Sequence, residues 1–151
     1  MIDRDRALSL PFAPLTFEVE RGRLRAFARS TGETDPIYRD VDAARAAGHP
    51  DVPVPPTFFF TMGLERDEPL GYLGELGVDL RFVLHGEQAF DYRQVAYAGD
   101  TLVLEDRITD VYDKRGGAME FIVKETAFHR ADTLVATAKS VLVVRHHEAA
   151  A

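Results

Sequence analysis

The 151-residue chain contains no cysteine. That absence excludes a disulfide scaffold, a thiolate nucleophile, iron–sulfur ligation and cysteine zinc sites. Positive charge is scarce: 18 Lys and Arg against 25 Asp and Glu leave a net charge of −7. A field of that sign disfavours nucleic acid, so no nucleic-acid partner is expected. An anionic ligand would need a local basic or helix-end site. No stretch approaches the roughly eighteen apolar residues of a membrane span. The start, Met1-Ile2-Asp3-Arg4-Asp5-Arg6, is charged and has no apolar signal core. The expectation is a soluble, cytoplasmic protein with no membrane partner. A phosphate-cradling loop is also missing, because Gly71, Gly74 and Gly77 lack both the strand–helix context and the lysine. No histidine pair has zincin spacing, so no metal is expected.

What is present is enough for one core. Hydrophobic residues make up 46% of the chain, and a chain of this length buries about 70% of its unfolded surface. Residues 15–19 alternate as a short strand. Residues 20–30 read as a helix, with Leu24, Phe27 and Ala28 on one side and Thr31-Gly32 as its end. Residues 37–47 read as a second helix opened by Pro36 and stopped by Gly48. After Pro50, Pro53, Pro55 and Pro56 comes Thr57-Phe58-Phe59-Phe60-Thr61-Met62. Thr57 is a plausible N-cap, and the segment is apolar nearly all round. It reads as a buried helix, with a buried strand as the alternative that periodicity does not exclude. The glycines at 71, 74 and 77 read as a linker. Beyond them the pattern is extended: residues 79–83, 89–95, 101–112, 119–129 and 133–144, separated by turns such as Asp113-Lys114-Arg115-Gly116-Gly117. The division is an N-terminal extension (1–14), one domain (15–145) and a flexible tail (146–151). The class is α+β, a sheet packed on a central helix.

Three segments carry a family resemblance: Phe27-Ala28-Arg29-Ser30-Thr31-Gly32-Glu33-Thr34-Asp35-Pro36-Ile37-Tyr38; Val54-Pro55-Pro56-Thr57-Phe58; and Leu84-His85-Gly86-Glu87-Gln88 followed by Ala98-Gly99-Asp100-Thr101-Leu102. In order and spacing the chain resembles the MaoC-like hydratase/dehydratase superfamily, and within it the FAS1-like dehydratase N-terminal branch. The resemblance implies a hotdog fold, a long antiparallel sheet wrapped around a central helix, paired into a dimer through a continuous sheet. It implies an (R)-specific enoyl-CoA hydratase or 3-hydroxyacyl-thioester dehydratase. Coenzyme A or acyl-carrier protein enters as part of the substrate, with no separate cofactor. The family's catalytic run reads Gly-Asp-x-Asn-Pro-x-His. Here it is Gly32-Glu33-Thr34-Asp35-Pro36-Ile37-Tyr38, so Glu33, Asp35 and Tyr38 stand at the Asp, Asn and His positions and all depart from the pattern.

The chemistry judges these departures. Deprotonating carbon beside a thioester needs donors aimed at the enolate-like oxygen. The helix start at Thr57 offers the N–H groups of Thr57, Phe58 and Phe59, although every helix has such an end. A general base should titrate near neutral pH. Tyrosine, ordinarily near 10, is a poor base. Glu33 serves only if burial raises its pKa, and Asp35 suits a turn or cap. His85 is the other candidate acid–base group. By strand parity it shares a side with Glu87, and Gly86, Glu87 and Gln88 are candidate substrate contacts. Phe58, Phe59, Phe60 and Met62 read first as core and second as walls of an acyl tunnel. Arg81 and Arg93 are candidates to meet the phosphates of coenzyme A or an acidic carrier protein. Three functions stay open. One is a hydratase/dehydratase with a non-standard acid–base pair, in a homodimer or larger homo-oligomer. Another is a non-catalytic acyl-binding subunit paired with a second hotdog chain. The third is an acyl-CoA thioesterase.

Overall fold

The computed structural model describes residues 1–146. Five strands form one antiparallel sheet: β1 (Leu15–Glu18), β2 (Val83–Tyr92), β3 (Thr101–Lys114), β4 (Met119–Arg130) and β5 (Thr133–Arg145). Their spatial order is β1-β3-β4-β5-β2. The long strands β3, β4 and β5 follow one another through tight turns. The first of these turns uses left-handed Arg115, Gly116 and Gly117, and the second uses left-handed Ala131. β2 pairs only with β5, so its outer edge is open.

The helices are short and lie against the sheet. They are α1 (Arg4–Leu8), α2 (Arg21–Ser30), α3 (Val41–Ala46), α4 (Phe58–Met62) and α5 (Gly71–Glu75). α2 is amphipathic as its spacing predicts, burying Leu24 and Ala28. The helix expected over residues 37–47 is divided instead. A single 3₁₀ turn at Pro36–Tyr38 ends at Arg39, and Asp40 starts α3 afresh by accepting the Ala43 N–H at 2.8 Å. The expected linker at 71–77 contains α5, which buries Tyr72 and Leu73. The expected strand at 79–83 is a 3₁₀ turn, Leu80–Phe82, capped by Asp79. β2 therefore begins at Val83 and ends at Tyr92, six residues earlier at its start and three at its end than the 89–95 segment.

The central helix α4 has only five residues. Phe58, Phe59 and Met62 are buried against Leu102, Leu104, Phe128 and Ala138 of the sheet. Phe58 meets Phe17 and Phe27 edge-on, at 6.1 and 5.2 Å, and Phe59 meets Phe128 at 5.0 Å. The helix is not apolar-buried all round, because Phe60 is 43% exposed. Thr57 sits in the helical region and makes no side-chain cap bond, so it does not act as the expected N-cap. A second apolar cluster, with Tyr72, Leu73, Ile108, Ile122 and Leu142, lies under α5. The N-terminal segment closes this end: the Ile2 N–H donates to buried Glu120 at 2.7 Å. His146, expected to fray, also pairs with Glu120, and its N–H donates to the Ala118 carbonyl at 3.0 Å. The rest of the predicted tail, including His147, lies outside the described residues. No described helix is long and apolar enough to cross a membrane.

Phe58 is 2% exposed and joins Phe17 of β1 to Phe27 of α2 through its two edge-on ring contacts. Phe58→Ala is expected to cost about 3–5 kcal/mol. Urea unfolding checks this, with a lower midpoint and an unchanged slope.

Candidate functional site

The site is built by strand register. In an antiparallel sheet, opposite residues share a face and alternate residues switch face. Three rows run across β2, β5, β4 and β3 on the face covered by helices: Phe90–Ala138–Thr126–Asp106, Gln88–Ser140–Lys124–Ile108 and His85–Leu142–Ile122–Val111. Polar groups thus form a band across the inner face, between the two apolar clusters.

His85 reaches this face through a β-bulge. Leu84 and His85 pair with Val143 and Leu142, whereas Glu87 and Gln88 pair with Val141 and Ser140, so Gly86 is an extra residue in β2. One added residue shifts the phase of everything after it. The expected parity of His85 with Glu87 is therefore overturned. His85 lies with Gln88, its Nε2 donating to Gln88 Oε1 at 3.2 Å, and Glu87 falls on the opposite face. Gly86 is required by space: a Cβ there would stand 2.9 Å from Val143 Cγ2 and 3.2 Å from the Val141 carbonyl oxygen.

A cavity of about 310 Å³ lies over the band. Its walls are apolar, among them Phe59, Phe60, Leu64, Leu70 and Phe128, and His85, Gln88, Lys124, Thr126 and Ser140 are its polar groups. A second opening of about 340 Å³ continues past His85 and Gln88 to Thr57, Phe60 and Thr61. Phe60 lies over the His85 ring at 5.4 Å between centroids. His85 thus stands beside the start of α4. Of the three candidate N–H donors there, Phe58 already donates to the Pro55 carbonyl at 2.9 Å, which leaves Thr57 and Phe59. A five-residue helix contributes little dipole, so any oxyanion stabilisation at this end is local N–H bonding.

The motif residues sit elsewhere. Glu33 accepts the Asp35 N–H at 2.9 Å, and Asp35 accepts the Ile37 N–H at 3.1 Å as cap of the 3₁₀ turn. Tyr38 lines a separate cavity of about 300 Å³ with His49, Pro53 and Tyr92. Burial, and then the charges of Glu33 and Asp35, push the Tyr38 phenol above its ordinary value, away from a base's working range. Glu33, Asp35 and Tyr38 thus form one cluster, and His85 with Gln88 belongs to another.

The arginine readings also change. Arg81 binds both oxygens of Asp79, Nη2 to Oδ2 at 2.6 Å, and Arg93 pairs with Asp91 at 2.7 Å. Both charges are matched locally. Deeper in the cavity the residues read past at first are Lys124, Thr126 and Ser140. The signal for Lys124 lay in the alternation of β4, where it shares its phase with Ile122 and Phe128 and so faces the core. Asp106, with 2% of its side chain exposed, lies behind it and pairs with Lys124 at 3.2 Å and Arg66 at 3.1 Å. Thr126 Oγ1 donates to the same carboxylate. Burial and the Asp106 charge raise the Tyr72 phenol. Among the described residues no cluster of three or more His, Asp or Glu side chains could hold a metal ion.

Known proteins resemble the chain in both sequence and shape. Residues 6–138 match the family described as FAS1-like, dehydratase domain region. A UPF0336 protein of Streptomyces coelicolor is 36% identical over 140 residues, covering 93% of this chain and 91% of that one. Among solved structures, the truncated HadBC (3R-hydroxyacyl-ACP dehydratase) complex from Mycobacterium tuberculosis superposes with TM-score 0.72 at 24% identity, over 86% of this chain and 91% of that one. A MaoC-like dehydratase gives TM-score 0.80 at 22% identity, over 93% of this chain and 43% of that one. The five-stranded antiparallel sheet with a few short helices matches the hotdog fold of these structures.

Two outcomes follow from this geometry. Gly86→Ala should displace β2 and cost about 1–3 kcal/mol in chemical denaturation. Adding Val143→Ala should recover part of the loss, because one of the two close contacts is removed. Separately, the Arg81 side chain and N–H hold the Asp79 carboxyl at about 2, below its ordinary 3.8. The stabilisation this represents is present above the ordinary value and lost as pH falls through about 2. Carboxyl NMR titration should show that midpoint, and Arg81→Ala should return it toward the ordinary value.

Proposed function

The chain belongs to the FAS1-like dehydratase domain family, and from that premise we propose that it is the acyl-thioester-binding hotdog subunit of a 3-hydroxyacyl-thioester dehydratase. A second hotdog chain supplies the acid–base pair. One observation carries this reading: an apolar cavity beside an open sheet edge exists without an assembled acid–base pair. The carboxylates of Glu33 and Asp35 are engaged in turn and cap bonds. Tyr38 is held protonated in a separate cavity. Removing the C2 proton and protonating the departing 3-hydroxyl calls for a positioned general base and general acid, and none of Glu33, Asp35 and Tyr38 is placed at this cavity.

The open edge of β2 suits a partner. Unpaired strand edges invite another strand, and Leu84, on the outer face of β2, is 53% exposed. A hotdog chain pairing there would seal the cavity mouth at His85 and Gln88. The related M. tuberculosis structure is a complex of two subunits. In this arrangement the cavity holds the acyl chain. His85 Nε2 lies 3.2 Å from Gln88 Oε1, which orients the imidazole at the seam. Its place beside Thr57 favours a second reading, in which His85 itself acts as the acid–base group of a hydratase.

The test uses crotonyl-CoA and longer enoyl-CoAs, followed by loss of the conjugated-thioester absorbance. The chain alone should give no turnover, and adding a hotdog protein that carries the full Gly-Asp-x-Asn-Pro-x-His run should give it. Turnover by the chain alone, abolished by His85→Ala, would establish the second reading in its place. Release of free thiol would mark a thioesterase.

A further inference from the structure

The deep wall of the cavity is more polar than a saturated acyl chain requires. Asp106, Lys124 and Thr126 lie on adjacent inner positions of β3 and β4, and Arg66 comes down on them from the loop after α4. Two cations share one carboxylate here, so the group carries a net charge of +1. No other carboxylate pairs with either cation among the described residues. The Thr126 hydroxyl points its proton at Asp106 and so neutralises nothing.

The two cations differ in where they face. Arg66 faces away from the cavity, donating from Nη1 to the Ala13 carbonyl at 2.7 Å. Lys124 lines the cavity. Its side chain is 17% exposed; its ammonium pairs with Asp106 and lies 5.7 Å from the Tyr72 ring centroid, and makes no hydrogen bond among the described residues. An ammonium carries three donors. A buried net charge in apolar surroundings is costly unless an opposite charge meets it.

Position along the cavity defines what that opposite charge belongs to. Gln88, Ser140 and Lys124 form one row across three neighbouring strands. Strands lie about 4.8 Å apart, which puts Lys124 roughly 10 Å inward from Gln88 at the open edge. A chain entering at His85 and Gln88 reaches Lys124 with its far end.

We propose that Lys124 selects acyl thioesters whose chain ends in a carboxylate, the half-thioesters of dicarboxylic acids. The terminal carboxylate would take the Lys124 ammonium and the Ser140 hydroxyl as donors, and Asp106 with Arg66 would hold the lysine in place from behind. This rests on the acyl-binding reading above and adds the substrate class to it.

Calorimetric titration of the full chain with suberyl-CoA and with octanoyl-CoA tests the idea, since the two share a chain length and differ at the far end. Suberyl-CoA should bind about ten- to a hundredfold more tightly, the range of a charge-assisted hydrogen bond. Lys124→Met should abolish or reverse that preference, and Lys124→Arg, which keeps the charge beside Asp106, should retain it. If Lys124→Met does not fold, the Lys124→Arg and wild-type preferences decide. Equal binding of both thioesters, or a preference for octanoyl-CoA, by the wild-type chain overturns the carboxylate assignment and leaves the acyl-binding reading intact. Binding of neither overturns both.

Discussion

A five-residue helix cannot cover strands of up to fourteen residues. At 1.5 Å per residue α4 is about 7 Å long, whereas β3 extends roughly 45 Å. The sheet must still bury its inner face. α4 covers one end with its phenylalanines, and α5 with the N-terminal segment covers the other. The stretch between them is where the cavity lies. The cavity is therefore a consequence of covering a long sheet with two short helices.

That stretch is also where the inner face turns polar. Lys124, Asp106 and Thr126 hold one another through charge and hydrogen bonds, and these bonds are satisfied only in a fixed geometry. These pairs give the cavity a charged floor. Stability and selectivity are coupled at this point, because the group that holds the wall in place also determines which ligand end it accepts.

The edge strand decides the other half of the site. β2 has one neighbour, and the bulge at Gly86 turns His85 inward while leaving Glu87 outward. The separation of His85 from the Glu33–Tyr38 cluster has the same kind of cause: the former rides on the edge strand, and the latter on the turn that joins two helices. Neither cluster alone combines an acid and a base at one point. The fold thus places the cavity and the Glu33–Tyr38 turn at different points of the chain.

Much of this was legible in linear order. The strand segments at 101–112, 119–129 and 133–144 follow from alternation, because a half-buried strand must place apolar residues on every second position. The amphipathic α2 follows from its 3.6-residue stripe. The family motifs set the order of the parts. Other features had no local signature. The break between Tyr38 and α3 depends on Asp40 capping a new helix, and α5 forms among glycines because Tyr72 and Leu73 find a core to enter. The His85–Gln88 pairing goes with the register shift at Gly86, where Val143 and the Val141 carbonyl of the neighbouring strand leave no room for a side chain. Periodicity records what one segment prefers. Register, bulges and the meeting of Arg66, Asp106 and Lys124 from separate segments are properties of pairs of segments, and they came into being only when the strands were laid side by side.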